Sequence, residues 1–329
     1  MSNFDEALCW YKLFSTKGIG PKRLHNIHRA LSETGIPIEH VCSMKFKELR
    51  SVLPQIDRRL FDAIHTCEKE REREFDDLLQ QGIQLIHIGH GSYPRGLYER
   101  LQDRAPALLF CRGALNLFDT ESVAIVGSRD ASELSLELAL ALAREFAHVG
   151  ANVISGYARG IDTQAHVGAL QEGGTTTIVL SMGILDFSKR KEFETLPWES
   201  NTLILSQFAP SERWRARNAM ARNRLICALS KAIIIIESGP EKDSRGKMSG
   251  TFNTGKTGIE MGLPVFVADP AILDRSPLGN RRLIRLGATM LTVKDGLHRA
   301  ADRVLKMISD QQNDPGPQSG EIEQLSLFP

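Results

Sequence analysis

Residues 123–170, VAIVGSRDASELSLELALALAREFAHVGANVISGYARGIDTQAHVGAL, decide the fold. The β-branched run at 123–126 ends in Gly127 and reads as a buried parallel strand, because such strands are apolar on both faces. Asp130, with Glu133 three residues on, has the spacing of a capping box and predicts a helix start there. Leu134, Leu138, Ala141, Leu142 and Phe146 then recur at helical spacing. Gly150 ends that helix and 151–154 forms the next strand. Ser155-Gly156 repeats the strand-to-glycine turn before a second helix carrying Asp162, Ala165, His166, Ala169 and Leu170. Two such units set their turns side by side at the carboxyl edge of a parallel sheet, where doubly wound sheets bind ligands.

The chemistry of these turns is anion binding. Gly127, Ser128 and Arg129 stand in the first, and Ser155, Gly156, Arg159 and Gly160 in the second. Glycine lets backbone N–H groups approach a phosphate, the following helix presents its positive end, and arginine adds a forked donor. The glycine spacing fits neither the dinucleotide fingerprint nor a P-loop. The turns therefore predict a phosphate-bearing ligand, with structural glycines and solvated arginines as the alternative.

Further along, SERWRARNAMARNRL (211–225) sets Arg213, Arg215, Arg217, Arg222 and Arg224 against one acid, Glu212, with Trp214 interleaved. As a helix it places Arg213, Arg217 and Arg224 on one face and Arg215 and Arg222 on a neighbouring one. This is the footprint expected for a nucleic-acid backbone, with Trp214 available to stack on a base.

The flanks extend the pattern. Residues 4–75 read as helical, and KGIGPKRL between two amphipathic stretches is either a helix-hairpin-helix DNA contact assisted by Lys17, Lys22 and Arg23 or a simple turn in a helical bundle. Helices are expected near 45–52 and 56–80, and strands at 83–88, 177–180, 202–205, 232–236 and 264–268. Alternating strands and helices predict a parallel sheet covered on both faces. The formal charge of +1 confines any nucleic-acid site to a local patch. The five cysteines lack metal-ligand spacing and read as reduced thiols. No leader is legible at the start, and the aliphatic run 233–236 is too short to span a membrane, so a cytoplasmic location with no membrane is expected. Asp162 and His166 share a helix face without a third ligand or a nucleophile elbow, which predicts no catalytic residues, no metal and no cofactor.

GSR at 127–129, SGYARGIDTQAH at 155–166, RNRLICALS at 222–230 and YPRGLYERLQDRAPALLFCRG at 93–113 resemble the signature segments of the DNA-processing protein A (DprA/Smf) family. The resemblance implies an α/β fold: an extended Rossmann-like domain with a mostly parallel sheet (81–308), preceded by a small all-α SAM/helix-hairpin-helix-like module (1–80). It implies single-stranded DNA as ligand, a homodimer, a RecA-type recombinase as partner, and no enzymatic activity. DNA or phosphate contacts then fall on Gly127, Ser128, Arg129, Ser155, Gly156, Arg159, Gly160, Arg217, Arg222, Asn223, Arg224, Ser249 and Gly250. The chain departs from the family at Ala219-Met220, in FSKRKEF (187–193), at Gly255, and in extra polar residues across 239–258. Two other roles stay open. One is nucleotide binding or hydrolysis of the LOG type, with Glu260 and Arg129 as nearest counterparts; the other is regulation beside a toxin in phage defence. From 309 the chain reads as a flexible linker, ending in QLSLF. Gln324, Leu325, Ser326, Leu327 and Phe328 resemble the pentapeptide that binds the bacterial sliding clamp.

Overall fold

Helices come first in the chain: α1 (Asn3–Phe14), α2 (Pro21–Thr34), α3 (Ile38–Val41), α4 (Phe46–Val52), α5 (Arg58–His65) and α6 (Glu68–Gln80). The computed structural model describes residues 3–313 except 67, 247 and 276, so Gln324, Leu325, Ser326, Leu327 and Phe328 lie outside the described residues. The chain then runs β1 (Gln84–His87), α7 (Leu97–Leu101), β2 (Leu108–Gly113), β3 (Ser122–Val126), α8 (Glu133–His148), β4 (Asn152–Ser155), α9 (Ile161–Gln171), β5 (Thr176–Val179) and β6 (Thr202–Ser206). It finishes with α10 (Ala216–Leu229), β7 (Ala232–Ile235), α11 (Gly250–Glu260), β8 (Val265–Ala268), α12 (Leu278–Arg285), β9 (Thr289–Leu291) and α13 (Leu297–Asn313). Among the described residues the strands form one nine-stranded sheet in the order β1-β2-β6-β5-β4-β3-β7-β8-β9.

From β6 to β9 every neighbouring pair is parallel. The β1–β2 and β2–β6 pairs are antiparallel, so the sheet is mostly parallel, as expected. Strand β2, which is not among the strands expected from the sequence, is a full strand. Its alternation shows which face each layer covers: Leu108 and Phe110 pack on the side of the amino-terminal helices, Leu109 and Cys111 on the other. The same alternation runs through Val123, Ile125, Ile234 and Ile236 against Ala124, Val126, Ile233 and Ile235. Helices α8, α9, α13 and the amino-terminal helices cover one face, and α7, α10, α11 and α12 the other. Burial on both faces explains the uninterrupted apolar strands.

The amino-terminal helices share their core with the sheet. Phe14 meets Phe110 edge-on at 5.4 Å, Trp10 stacks on His87 at 5.5 Å, and Tyr11 lies 5.5 Å from Phe75 of α6. His25 of α2 donates from Nε2 to the Ala105 carbonyl at 2.7 Å.

One expected helix start is corrected. The cap of α8 is Ser132, whose hydroxyl accepts from Ser135 N at 3.3 Å, not Asp130. The buried stripe of α8 is Ser135, Leu138, Ala139, Leu142, Ala143 and Phe146, while Leu134 is exposed. A carboxylate that periodicity could not reveal fixes this start. Glu237, just past β7 and 6% exposed, accepts from Ser132 N (2.9 Å), Ser132 Oγ (3.2 Å) and Ser135 Oγ (2.7 Å). Negative charge at a helix amino terminus is favourable, and bonds to an ionised acceptor are the strong ones. Glu237 thus joins β3 and β7 at the point where the strand order reverses, which is where open α/β sheets form their crevice.

Candidate functional site

The two glycine turns meet at this edge. Ile161 N donates to the Ser128 carbonyl at 3.3 Å and Ser128 N to the Glu237 carbonyl at 2.8 Å. Arg159 pairs with Asp130 at 2.5 Å, both side chains exposed. A side chain at Gly156 would place its Cβ 1.1 Å from Arg222 Nη1, so glycine there makes room for a guanidinium arriving from α10.

Between these turns and the loop after β5 lies a cavity of about 520 Å³. Arg129, Arg159, Arg190 and Arg222 line it, and among the described residues no carboxylate does; Gly156, Tyr157, Ser181 and Trp214 complete its walls. Trp214 is 50% exposed, an open aromatic face beside four guanidinium groups. Tyr157 holds φ at 58°, rare for a non-glycine residue. Its carbonyl accepts from Arg190 Nη2 at 2.7 Å, its hydroxyl accepts from Arg190 N at 3.0 Å, and the Arg190 guanidinium lies 4.2 Å over its ring. Arg190 comes from FSKRKEF, a segment with no role legible in the sequence; only the folded chain brings it to the turns.

Arg222 differs from its predicted character. It is 5% exposed, and its Nη1 stands 3.7 Å from Asp162 Oδ2, with both side chains buried. Burial raises the Asp162 carboxyl above its ordinary value while the Arg222 charge works against that rise, and burial draws Arg222 down. Arg222 Nε is buried without a protein partner among the described residues. Buried polar groups are nearly always paired, so this donor is an exception among the buried groups around the site.

Asp162 and His166 do not act on one another. Thr176 Oγ1 donates to the Val153 carbonyl at 2.7 Å and therefore accepts from His166 Nδ1–H, also at 2.7 Å. Burial first, then Arg190 and Arg222, push His166 down to about 3. The unfolded imidazole takes up its proton near pH 6.5, whereas the folded one resists until about 3. Stability from this group is thus full above pH 6.5 and is lost as pH falls. At pH 5 the loss should be about 2 kcal/mol. Urea unfolding at pH 7.5 and pH 5 should show it, and His166→Gln should reduce the difference by that amount, leaving the share of His87, which burial also pushes down to about 3; an undiminished difference in that variant would contradict a neutral buried imidazole.

The remaining predicted residues divide. Arg129, Gly156, Arg159 and Arg222 line the cavity, with Gly127, Ser128 and Gly160 in the turns behind them. Ser155 is fully buried and donates to the Ile125 carbonyl at 2.7 Å, a bond between strands. Asn223 Nδ2 donates to the Gly250 carbonyl at 3.0 Å, and Ser249 caps α11; these three tie α10 to α11 outside the cavity. Arg217 and Arg224 face the other way, into a second cavity of about 610 Å³. Arg213 and Arg215 precede α10, which starts at Ala216. Glu260 ends α11, roughly 15 Å of helix from the carboxyl edge where that helix begins, so it is not brought to Arg129. Among the described residues no cluster of His, Cys, Asp or Glu could hold a metal ion, and no helix is long and apolar enough to cross a membrane.

The chain is similar to known proteins in sequence and in fold. Over 194 residues the chain is 36% identical to DNA processing protein DprA of Streptococcus pneumoniae, a match covering 57% of this chain and 64% of that protein. Over 214 residues it is 28% identical to DNA processing protein DprA of Bacillus subtilis, covering 64% and 68%. The X-ray structure of the S. pneumoniae protein matches 89% of this chain and 95% of its own at a TM-score of 0.68 and 26% identity. DNA processing protein A of Helicobacter pylori, whose structure addresses its single-stranded DNA binding mode, matches 68% of this chain and 96% of its own at 0.56 and 28% identity. The pneumococcal sequence match spans just under two thirds of that protein's length. Residues 84–301, from β1 into α13 and including both glycine turns and α10, match the model for DNA recombination-mediator protein A, and the chain belongs to that family.

Proposed function

We propose that this chain binds single-stranded DNA through the four-arginine cavity and serves DNA processing and recombination. The observation that carries the reading is the convergence of Arg129, Arg159, Arg190 and Arg222 on one cavity with no carboxylate among the described residues of its walls. Phosphates of a flexible strand satisfy such a cavity, and an exposed indole beside it suits a base that is unstacked. Single-stranded DNA binding by the H. pylori relative supports the same ligand.

The same reading gives the chain a RecA-type recombinase and a second copy of itself as partners. Gln324, Leu325, Ser326, Leu327 and Phe328 are assigned to a sliding clamp on their sequence alone, the helical module to 1–80 and the Rossmann-like domain to 81–308.

Arg129 and Arg159 reach the surface and can be removed with little disturbance to the core. Fluorescence anisotropy with a labelled thymidine 20-mer should show Arg129→Ala/Arg159→Ala binding about 10-fold to 100-fold more weakly, since bonds to charged groups contribute about 1.5–3 kcal/mol before screening. The slope of log affinity against log salt should shrink by roughly 0.7 for each phosphate that is no longer neutralised. Wild-type binding that is absent at low salt, or a double variant with an unchanged slope, would remove the reading.

A further inference from the structure

The second cavity sits on the other side of α10, along the same edge of the sheet. Helical geometry explains the division: on α10, Arg217, Ala221 and Arg224 lie within one stripe, and Arg222 projects roughly 140° away from Arg217. The loop 207–215 walls both spaces, with Gln207, Phe208 and Glu212 on one side and Trp214 on the other. The far wall of the second cavity is Phe14, Pro21 and Leu24 of the amino-terminal helices, together with 104–108 leading into β2.

Three observations define what fits there. The walls are largely apolar and include two aromatic rings, Phe14 and Phe208, neither fully covered. The Gln207 amide Nε2 is buried with no hydrogen-bond acceptor among the described residues. The charged rim is Arg104, Arg217 and Arg224 against Glu212, and Glu212 is already engaged by Asn218 Nδ2 at 3.0 Å and Arg217 at 3.9 Å. An apolar slot with one amide side chain in its lining and surplus positive charge at its mouth is complementary to a nucleobase with its phosphate. A volume of about 610 Å³ admits a nucleotide.

Resting on the reading above, we propose that this cavity is a second subsite for the same strand. It holds one unstacked base against Phe208, beside the Gln207 side chain, with the adjoining phosphate on Arg217 and Arg224. The strand then crosses the 207–215 loop over Trp214 between the two cavities. The amino-terminal helices thereby contribute a wall to the DNA site rather than only a support for the sheet.

The test compares wild type, Arg129→Ala/Arg159→Ala and Phe208→Ala/Arg224→Ala by anisotropy, each with a thymidine 20-mer and with a 20-mer of abasic sites. Phe208→Ala/Arg224→Ala should bind the thymidine strand about tenfold more weakly, with a reduced salt slope, and should lose part of the preference for thymidine over abasic strand. If that variant binds both strands as wild type does while Arg129→Ala/Arg159→Ala is weakened, the second subsite falls and the first cavity stands. If both variants bind as wild type does, both assignments fall. Should Phe208→Ala unfold, Arg224→Glu alone keeps the test: it should weaken the thymidine strand at low salt, and no change would overturn the subsite.

Discussion

Replacing Arg222 by alanine should lower the unfolding free energy by about 3–5 kcal/mol, because the substitution leaves the Asp162 charge buried without its partner. Asp162 and Arg222 are 5% exposed each, and their 3.7 Å separation is held by packing rather than by a tight bond. Taking both charges out together removes the burden on each, so Asp162→Ala/Arg222→Ala should lose far less than the sum of the two single variants. Urea midpoints of the four proteins give the coupling directly, and additive losses would show that the pair does not interact. The same argument bears on DNA measurements: in an Arg222→Ala protein weaker binding would mix the missing guanidinium with the loosened fold, whereas Arg129 and Arg159 report on binding alone.

Gly160→Ala should be nearly as damaging, and for steric reasons. Gly160 holds φ at 83°, and a Cβ there would lie 2.5 Å from the Ser128 carbonyl oxygen and 2.7 Å from that of Arg129. Strain of about 1–3 kcal/mol adds to about 1–3 kcal/mol for forcing two backbones apart. DNA affinity should fall with stability, because the displaced backbone carries Arg129 on one side and Arg159 on the other. Gly173 supplies the control: its φ is 71° but nothing stands within 4 Å of its Cβ. Gly173→Ala should lose only about 1–2 kcal/mol and bind DNA normally. Equal losses at both positions, measured by urea unfolding, would mean that backbone conformation alone sets the effect and that the turns need not touch.

Much of the parallel sheet was legible because fully buried strands show as β-branched runs closed by glycine or a polar residue, as at 123–126 and 232–236. Strand β2 was not, since a strand's partner and direction depend on residues distant in sequence: Phe110 pairs with Ser206 across the sheet. The helix start at Asp130 failed for a similar reason. Ser132 and Ser135 are chosen as cap and first turn by Glu237, about a hundred residues away, and local spacing carries no trace of that carboxylate. The arginines of 211–225 were visible as a group, but periodicity could not say that α10 is covered on several sides, which buries Arg222 and sends Arg217 and Arg224 to a different cavity. Arg190 was hidden because its site is made by tertiary contact with Tyr157.

The core shared by the amino-terminal helices and the sheet has a mechanical consequence. The far wall of the larger cavity is tied together: α1 and α2 cannot leave the 104–110 segment without separating Phe14 from Phe110 and breaking the bond from His25 to Ala105. That wall therefore moves with the sheet as one piece, and a substitution at Phe14 or His25 loosens the cavity by way of its support.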